Sequence, residues 1–356
     1  MDSHRKGRVA RGGGSFKDIA QRAVANSPGD PHRQLNVILR KSHIPAAFGE
    51  DRPVSDKTRS DYGRELHRAI TLCRTCCVPI QNITDLNRKH VIAFCRQWEK
   101  EGLCEKTVAK YVSTLRRFLE LLGKRGAIPV GQEWRQVLRS RDIVLGTQGT
   151  SLIAKFPKGW RDHGVDPNAV IDAVEQVDEL VACQFRMQLH FGLRVNESCQ
   201  IVPRDSDKGD HLMVWRGTKG GKERRVEFSS DPQKRAAQRQ TLNHAMGLAS
   251  RNSKGCLGNP KGSLRAMKNR MTYLARKHGI RRTGLGITLH GLRHQFACDL
   301  FRELTGLPAP VLREVEPSVY GEKAELVRWA ILEIARQLGH ERGPISYAYI
   351  GSPSSH

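Results

Sequence analysis

The chain has 356 residues, enough for two domains of ordinary size, each with its own core. Hydrophobic residues make up 38% and charged residues 27%, and no stretch approaches the roughly 18 apolar residues that a bilayer-spanning helix needs, so no such helix is expected. Sixty Lys and Arg against 36 Asp and Glu leave a formal charge of +24, which points to a polyanionic partner, with nucleic acid ahead of an anionic membrane surface.

Residues 1–16 are basic and Gly-rich, with Arg5, Lys6, Arg8 and Arg11 ahead of a Gly-Gly-Gly run, and are expected to form a flexible arm. No apolar run follows these basic residues, so the segment does not read as a signal peptide, and a cytoplasmic, DNA-associated protein is expected. From 17 to 135 the pattern is helical. One helix covers about 57–77 and a second about 88–101, with Val91, Phe94, Cys95 and Trp98 on one face. A third follows in EKTVAKYVSTLRRFLELLGKRG, where Val108, Tyr111, Val112, Leu115, Phe118, Leu119 and Leu122 recur at helical spacing. Its other face carries Lys106, Lys110, Arg116 and Arg117, the candidate DNA contacts of this half.

Nine cysteines without a secretory signal read as reduced thiols. Cys73 and Cys76 form a C-x-x-C, but no second pair at matching spacing completes a zinc site. Cys73 shares the apolar stripe of Tyr62, Leu66, Ala69 and Ile70, so a buried core thiol is expected and no metal.

Residues 136–158, with Gly146, Gly149 and Pro157, read as a linker, and a second domain covers 159–356. Helical periodicity returns at 168–191. Two strand-like runs, HLMVWRG and RRVEF, flank TKGGKE, a hairpin signal with Gly220 and Gly221 at its turn. Helices resume near 233–250, 261–278, 290–305 and 322–338, where Gly339 stops the last; Trp329, Ile331 and Ile334 are core candidates on it. The expected fold is mainly α with a small antiparallel sheet in the second domain (α+β), behind an all-α first domain.

Four patches of the second domain hold groups suited to phosphate chemistry: FGLRVNES, RGTKGGKERRV, LHGLRHQFA and LGHERGPISYAYIG. Each alone is weak. The last contains Tyr347 and Tyr349, which periodicity does not separate. In a helix, residues two apart point about 200° from each other, so only one of them faces a given site.

In the order Arg, Lys, His-x-x-Arg, His, Tyr, the set resembles the tyrosine recombinase (phage integrase) family. The resemblance covers the second domain throughout and the first loosely, as a SAM-like core-binding domain; it implies a two-domain DNA clamp. By resemblance Arg194 is the first arginine, Lys219 the catalytic lysine, and His290 and Arg293 the paired histidine and second arginine. His340 is the third-motif histidine, and Glu197 a supporting acid behind them. The nucleophile of the family commonly follows the LGH histidine by nine positions, which selects Tyr349 over Tyr347.

The chemistry explains the residue types. Attack on a phosphodiester builds negative charge on the non-bridging oxygens, and two guanidiniums clamp that charge with paired donors. Imidazoles hydrogen-bond or accept a proton near neutrality. A lysine among other cations suits protonation of the leaving 5′ oxygen, and a cationic site favours the attacking phenolate. The resemblance implies a 3′-phosphotyrosyl intermediate, a Holliday junction and integration or recombination of a bacterial mobile element, with no metal, cofactor or ATP. It further implies double-stranded DNA sites as partners, four protomers on two sites, and an accessory directionality factor. The alternatives are a type IB topoisomerase, which relaxes DNA as a monomer, and a catalytically inactive DNA-binding regulator.

Two departures stand out. The interval from Arg293 to His340 is longer than in compact members of the family, with an insertion at about 304–328 expected to form a loop or helix over the site or a protein contact. Only seven residues follow Tyr349, too few for the C-terminal helix that many relatives dock into a neighbouring subunit. Contact between protomers is then expected from the insertion or from the tyrosine segment itself.

Overall fold

Side-chain caps start many of the helices, and left-handed glycines end several of them. The computed structural model describes residues 15–45, 53–144 and 153–354. The chain divides into two compact units, Met1–Thr150 and Ser151–His356. Residues 1–14 of the expected arm and 145–152 of the expected linker lie outside the described residues.

The first unit is helical: α1 (Phe16–Asn26), α2 (Pro31–Lys41), α3 (Asp56–Thr75), α4 (Arg88–Lys100), α5 (Glu105–Leu121) and α6 (Gly131–Arg139). Ser15 and Asp18 form a capping box on α1, the Asp18 carboxylate accepting from Ser15 N at 2.8 Å. Phe16, placed by the sequence at the end of the arm, instead packs edge-on against Phe118 at 5.9 Å between ring centroids. The core gathers Leu66 and Cys73 from α3, Phe94 and Trp98 from α4, and Val108, Leu115 and Phe118 from α5. Cys73 is a buried thiol as expected, and burial pushes it up to about 11. The expected linker start at 136 falls inside α6. Trp134 and Leu138, four apart on one helical face, bury there, and Ile143 joins the same core.

The second unit runs α7 (Pro167–Glu175), α8 (Glu179–Phe191), α9 (Val195–Gln200), α10 (Pro203–Ser206), β1 (His211–Val214) and β2 (Arg224–Glu227). Then come α11 (Pro232–Ala249), α12 (Leu264–Lys277), α13 (Leu289–Thr305), α14 (Pro317–Glu322), α15 (Ala324–Gln337) and α16 (Tyr347–Ile350). Asp178 Oδ1 accepts from Val181 N at 3.0 Å to start α8, and Gly192, at φ 57°, ends it. Helix α8 is buried almost all round, and its buried amide nitrogens find acceptors inside: Gln184 Nε2 donates to Leu257 O at 2.5 Å and Gln188 Nε2 to Ser198 Oγ at 3.2 Å, while Gln184 Oε1 has no partner among the described residues. One core joins Phe191, Phe296, Phe301, Ile334 and Ile350, and a second joins Trp160, Phe185, Met271 and Leu292. Strands β1 and β2 pair antiparallel from His211↔Glu227 to Val214↔Arg224.

The 304–328 insertion is not a loop laid over the surface. Its Ala309 and Val311 are buried in the core, and Tyr320 is 2% exposed, its hydroxyl donating to Pro308 O at 3.1 Å. The turn at 310–312 lies against α16; a Cβ on Gly351, at φ 77°, would meet Val311 N at 2.7 Å. The insertion therefore backs the segment that carries the two tyrosines. Along α15, Val327, Ala330, Ile331 and Ile334 face inward, while Trp329, expected in the core, is 51% exposed. It points to the other side of the same helix, with Leu326 and Leu332.

Candidate active site

Two helix C-termini and one strand start build the site. The end of α8 presents the Gly192 carbonyl, and the end of α15 presents those of Gln337 and Leu338. Carbonyls in a helix's last turn lack intrahelical partners and carry partial negative charge, so they attract cations. Three arginines answer them. Arg293 donates from Nη1 to Gly192 O and from Nη2 to Leu338 O. Arg194 donates from Nη2 to the same Leu338 O at 3.1 Å. Arg224, the first residue of β2, donates to Gln337 O and, at 3.3 Å, to Gly192 O.

One carboxylate joins them. Glu197, fully buried, pairs through Oε1 with Arg194 Nη1 at 2.7 Å and through Oε2 with Arg224 Nη2 at 2.7 Å, and Arg293 Nη1 lies 4.0 Å away. Burial pushes this carboxyl up, but Arg224, Arg293 and Arg194 together overcome that and hold it at about 2. Three guanidiniums thus face one carboxylate, and the excess is positive. Burial, with Arg224 and Arg194 nearby, pulls Arg293 down to about 10.

Tyr349 completes the group. It is 7% exposed, and its hydroxyl accepts from Arg293 Nε at 3.3 Å. Three imidazoles surround its ring, with centroids at 5.7 Å for His290, 4.8 Å for His294 and 5.7 Å for His340. Tyr347 sits elsewhere: its ring packs against the core, and its carbonyl accepts from Ala154 N at 2.8 Å. Lys219 is exposed at the hairpin tip, close enough for its charge to act on His340. The next lysine along, Lys222, pairs with Glu341, beside His340.

Burial and the neighbouring cations lower all three imidazoles. His290 is pulled to about 4 by its crowded setting and then Arg293, although its ring still reaches solvent. His340 is pulled to about 4 by burial and then Arg293, and His294 to about 3 by burial and then His290. These groups are neutral in the fold at pH values where an unfolded imidazole, with a pKa of about 6.5, binds a proton. Their contribution to stability is therefore complete above about pH 6.5 and is lost as pH falls toward the folded values. For buried His294 alone this amounts to about 2 kcal/mol between pH 7 and pH 5. Thermal melts at pH 7, 6 and 5 should show this unit's transition falling, and a transition insensitive to pH across that range would contradict it.

The structure brings together Arg194, Glu197, His290, Arg293, His340 and Tyr349, with Lys219 at the edge. Sequence reasoning missed Arg224 and His294. Both left a signal: Arg224 shares the inward face of β2 with buried Val226, and His294 lies one turn beyond His290. The four candidate DNA contacts of α5 divide. Lys106 is exposed, and Lys110 is exposed while pairing with Glu65 at 2.6 Å. Arg116 instead holds the carbonyls of Ile128 and Pro129 at 2.9 and 2.8 Å, and Arg117, with its side chain 13% exposed, reaches Pro45 O at 3.3 Å. A guanidinium can bury its stem and satisfy backbone acceptors, a role that helical spacing does not distinguish from DNA contact.

Comparison with known proteins adds sequence and fold relationships. An integrase family model matches residues 163–299, and a model of the phage integrase N-terminal SAM-like domain matches 48–126. Together they cover more than half of the chain; the first spans Arg194, Lys219, Arg224, His290 and Arg293 and stops before His340 and Tyr349. No curated protein sequence matches the chain significantly. Among solved structures, a lambda integrase dimer bound to a COC′ core site is similar, with TM-score 0.53 and 16% identity over 86% of this chain and 92% of that one. A Tn1549 transposon integrase in complex with transposon right-end DNA gives TM-score 0.50 and 12% identity over 95% of each chain. The XerH recombinase bound to a palindromic difH substrate, a post-cleavage complex, gives 0.50 and 14% over 94% of this chain and 84% of that one. Among the described residues, no helix is long and apolar enough to cross a membrane.

Proposed function

Because the chain belongs to the tyrosine recombinase (phage integrase) family, we propose that it cuts and rejoins double-stranded DNA at specific sites, with Tyr349 as the nucleophile. The observation that carries this reading is the Tyr349 hydroxyl 3.3 Å from Arg293 Nε, inside a cluster where three arginines face a single carboxylate. That excess charge suits one more anion, and a DNA phosphodiester supplies it.

Entry is from the Arg194 side, since the Arg194 side chain is 21% exposed and that of Arg293 only 1%. Arg194 and Arg293 then hold the non-bridging oxygens, where charge builds in the transition state. Tyr349 Oη bonds to phosphorus and gives up its proton to His290 or His340. Both imidazoles are neutral at pH 7 and gain basicity as the anion arrives. The bond from phosphorus to the 5′ oxygen breaks, and Lys219 protonates the leaving oxygen. The products are a 3′-phosphotyrosyl link and a 5′ hydroxyl. Attack by the 5′ hydroxyl of the partner strand reverses the step, so one phosphoester replaces another and neither ATP nor metal is consumed. Four protomers on two DNA sites, exchanging strands through a Holliday junction, belong to the same reading. So do a nucleoid-associated location and an accessory directionality factor.

Sequencing the nucleotides covalently attached to the protein after incubation with genomic DNA would define the site. A duplex carrying that site and a nick beside the cut should then trap a covalent protein–DNA band, with EDTA present and ATP absent. The band should weaken steeply with salt during binding. No band on any DNA would overturn the reading, leaving a binding protein. Relaxation of plasmids that lack the site would favour a type IB topoisomerase.

A further inference from the structure

We infer that Arg224 is a positioning residue of this site, the side chain that fixes the Lys219 hairpin against Arg293 and His340. The inference rests on the functional reading above. Arg224 is reached by following β2 back to its first residue, five positions after Lys219. From there one guanidinium spans four separate pieces of the unit. It pairs with Glu197 at 2.7 Å, shares the Gly192 carbonyl with Arg293, and takes the Gln337 carbonyl next to the one that Arg194 and Arg293 share.

The chain then folds directly over it. Gly339, at φ 69°, precedes His340, and a Cβ there would lie 2.7 Å from Arg224 Cδ. The side chain is 1% exposed and, unlike Arg293, makes no hydrogen bond to the Tyr349 hydroxyl among the described residues, its terminal nitrogens being taken by Glu197 and the two helix-end carbonyls. Its Nε lies buried without a partner among the described residues. Stability alone does not call for such a residue, because a buried ion pair is commonly matched by apolar groups of similar volume. What the guanidinium supplies is geometry: a planar fork with fixed donor directions, which holds hairpin, α8 end, α15 end and Glu197 in one register.

The test uses the full chain on the nicked duplex, with single-turnover cleavage at saturating protein and affinity measured separately. For Arg224→Met we expect DNA affinity within roughly threefold of wild type and a cleavage rate lower on the order of 100-fold, the scale of a displacement of about 1 Å among reacting groups. Arg224→Lys keeps the charge beside Glu197 but cannot span the carbonyls, and should recover part of the rate. The acid limb of the rate profile should also move to higher pH in Arg224→Met, because Arg224 is one of the cations, with Arg293, Arg194 and Lys219, that disfavour protonation of His340. If Arg224→Met does not fold, Arg224→Lys decides, its rate lowered at unchanged affinity supporting the inference. Variants that cleave like wild type, with the same pH profile, overturn it while leaving the functional reading intact. A wild type that forms no adduct overturns that reading and this inference with it.

Discussion

Tyr349→Phe should abolish the covalent protein–DNA band and lower strand cleavage on the order of 10⁴-fold or more, since the attacking oxygen is removed. Affinity for DNA should stay within roughly threefold, because the ring and the arginine cluster remain. The stability cost should be small. The lost hydrogen bond is a long one, 3.3 Å from Arg293 Nε, and losing it leaves one buried donor of Arg293 unmet, at about 1 kcal/mol. Tyr347→Phe is the matched control. The backbone carbonyl of Tyr347 accepts from Ala154 N and from Gly351 N, contacts that the substitution preserves. Its adduct should form at nearly the wild-type rate. A Tyr349→Phe variant that still traps DNA, beside a Tyr347→Phe variant that does not, would reverse the assignment.

Glu197→Gln should unfold the second unit more readily than any surface change in it. Glu197 is the sole carboxylate within 4.0 Å of Arg194, Arg224 and Arg293, among the described residues. Removing its charge leaves Arg224 and Arg293 buried with only neutral partners, backbone carbonyls and the Tyr349 hydroxyl, and breaking a buried pair from one side costs about 3–5 kcal/mol. For a unit of this size that is a fall in Tm of roughly 6–20 °C. The folded carboxyl sits at about 2, below an unfolded value of about 4.3, so its contribution is full at neutral pH and disappears as pH falls from about 5 toward 2. Calorimetry should therefore show wild type and Glu197→Gln converging in acid, with the first unit's transition as an internal reference. A Tm within about 2 °C of wild type at pH 7 would show that the carbonyls alone satisfy the cluster.

Much of this site was readable before any coordinates. Arg194, Lys219, His290, Arg293, His340 and Tyr349 lie in short patches whose order resembles one family, and the elements carrying them showed clear periodicity. The residues that escaped did so for physical reasons. Arg224 acquires its role from Gln337, a residue 113 positions away, and Arg116 from carbonyls across a turn; local pattern records neither acceptor. Trp329 sits in an apolar stretch, yet only the packing of α15 against its neighbours decides which side of that helix meets the core.

The sequence by itself determined the helical first unit, the hairpin, the reading of Cys73 as a core thiol and the set of groups suited to phosphate. Those depend on spacing and residue type, which act locally. Tertiary structure decided that the 304–328 segment backs the tyrosine helix, since that needed Val311 against Gly351. It also decided that Tyr349 rather than Tyr347 faces Arg293, and that three arginines share one acid. Each of those depends on two helix ends, α8 and α15, meeting so that their unpaired carbonyls draw the same cations together.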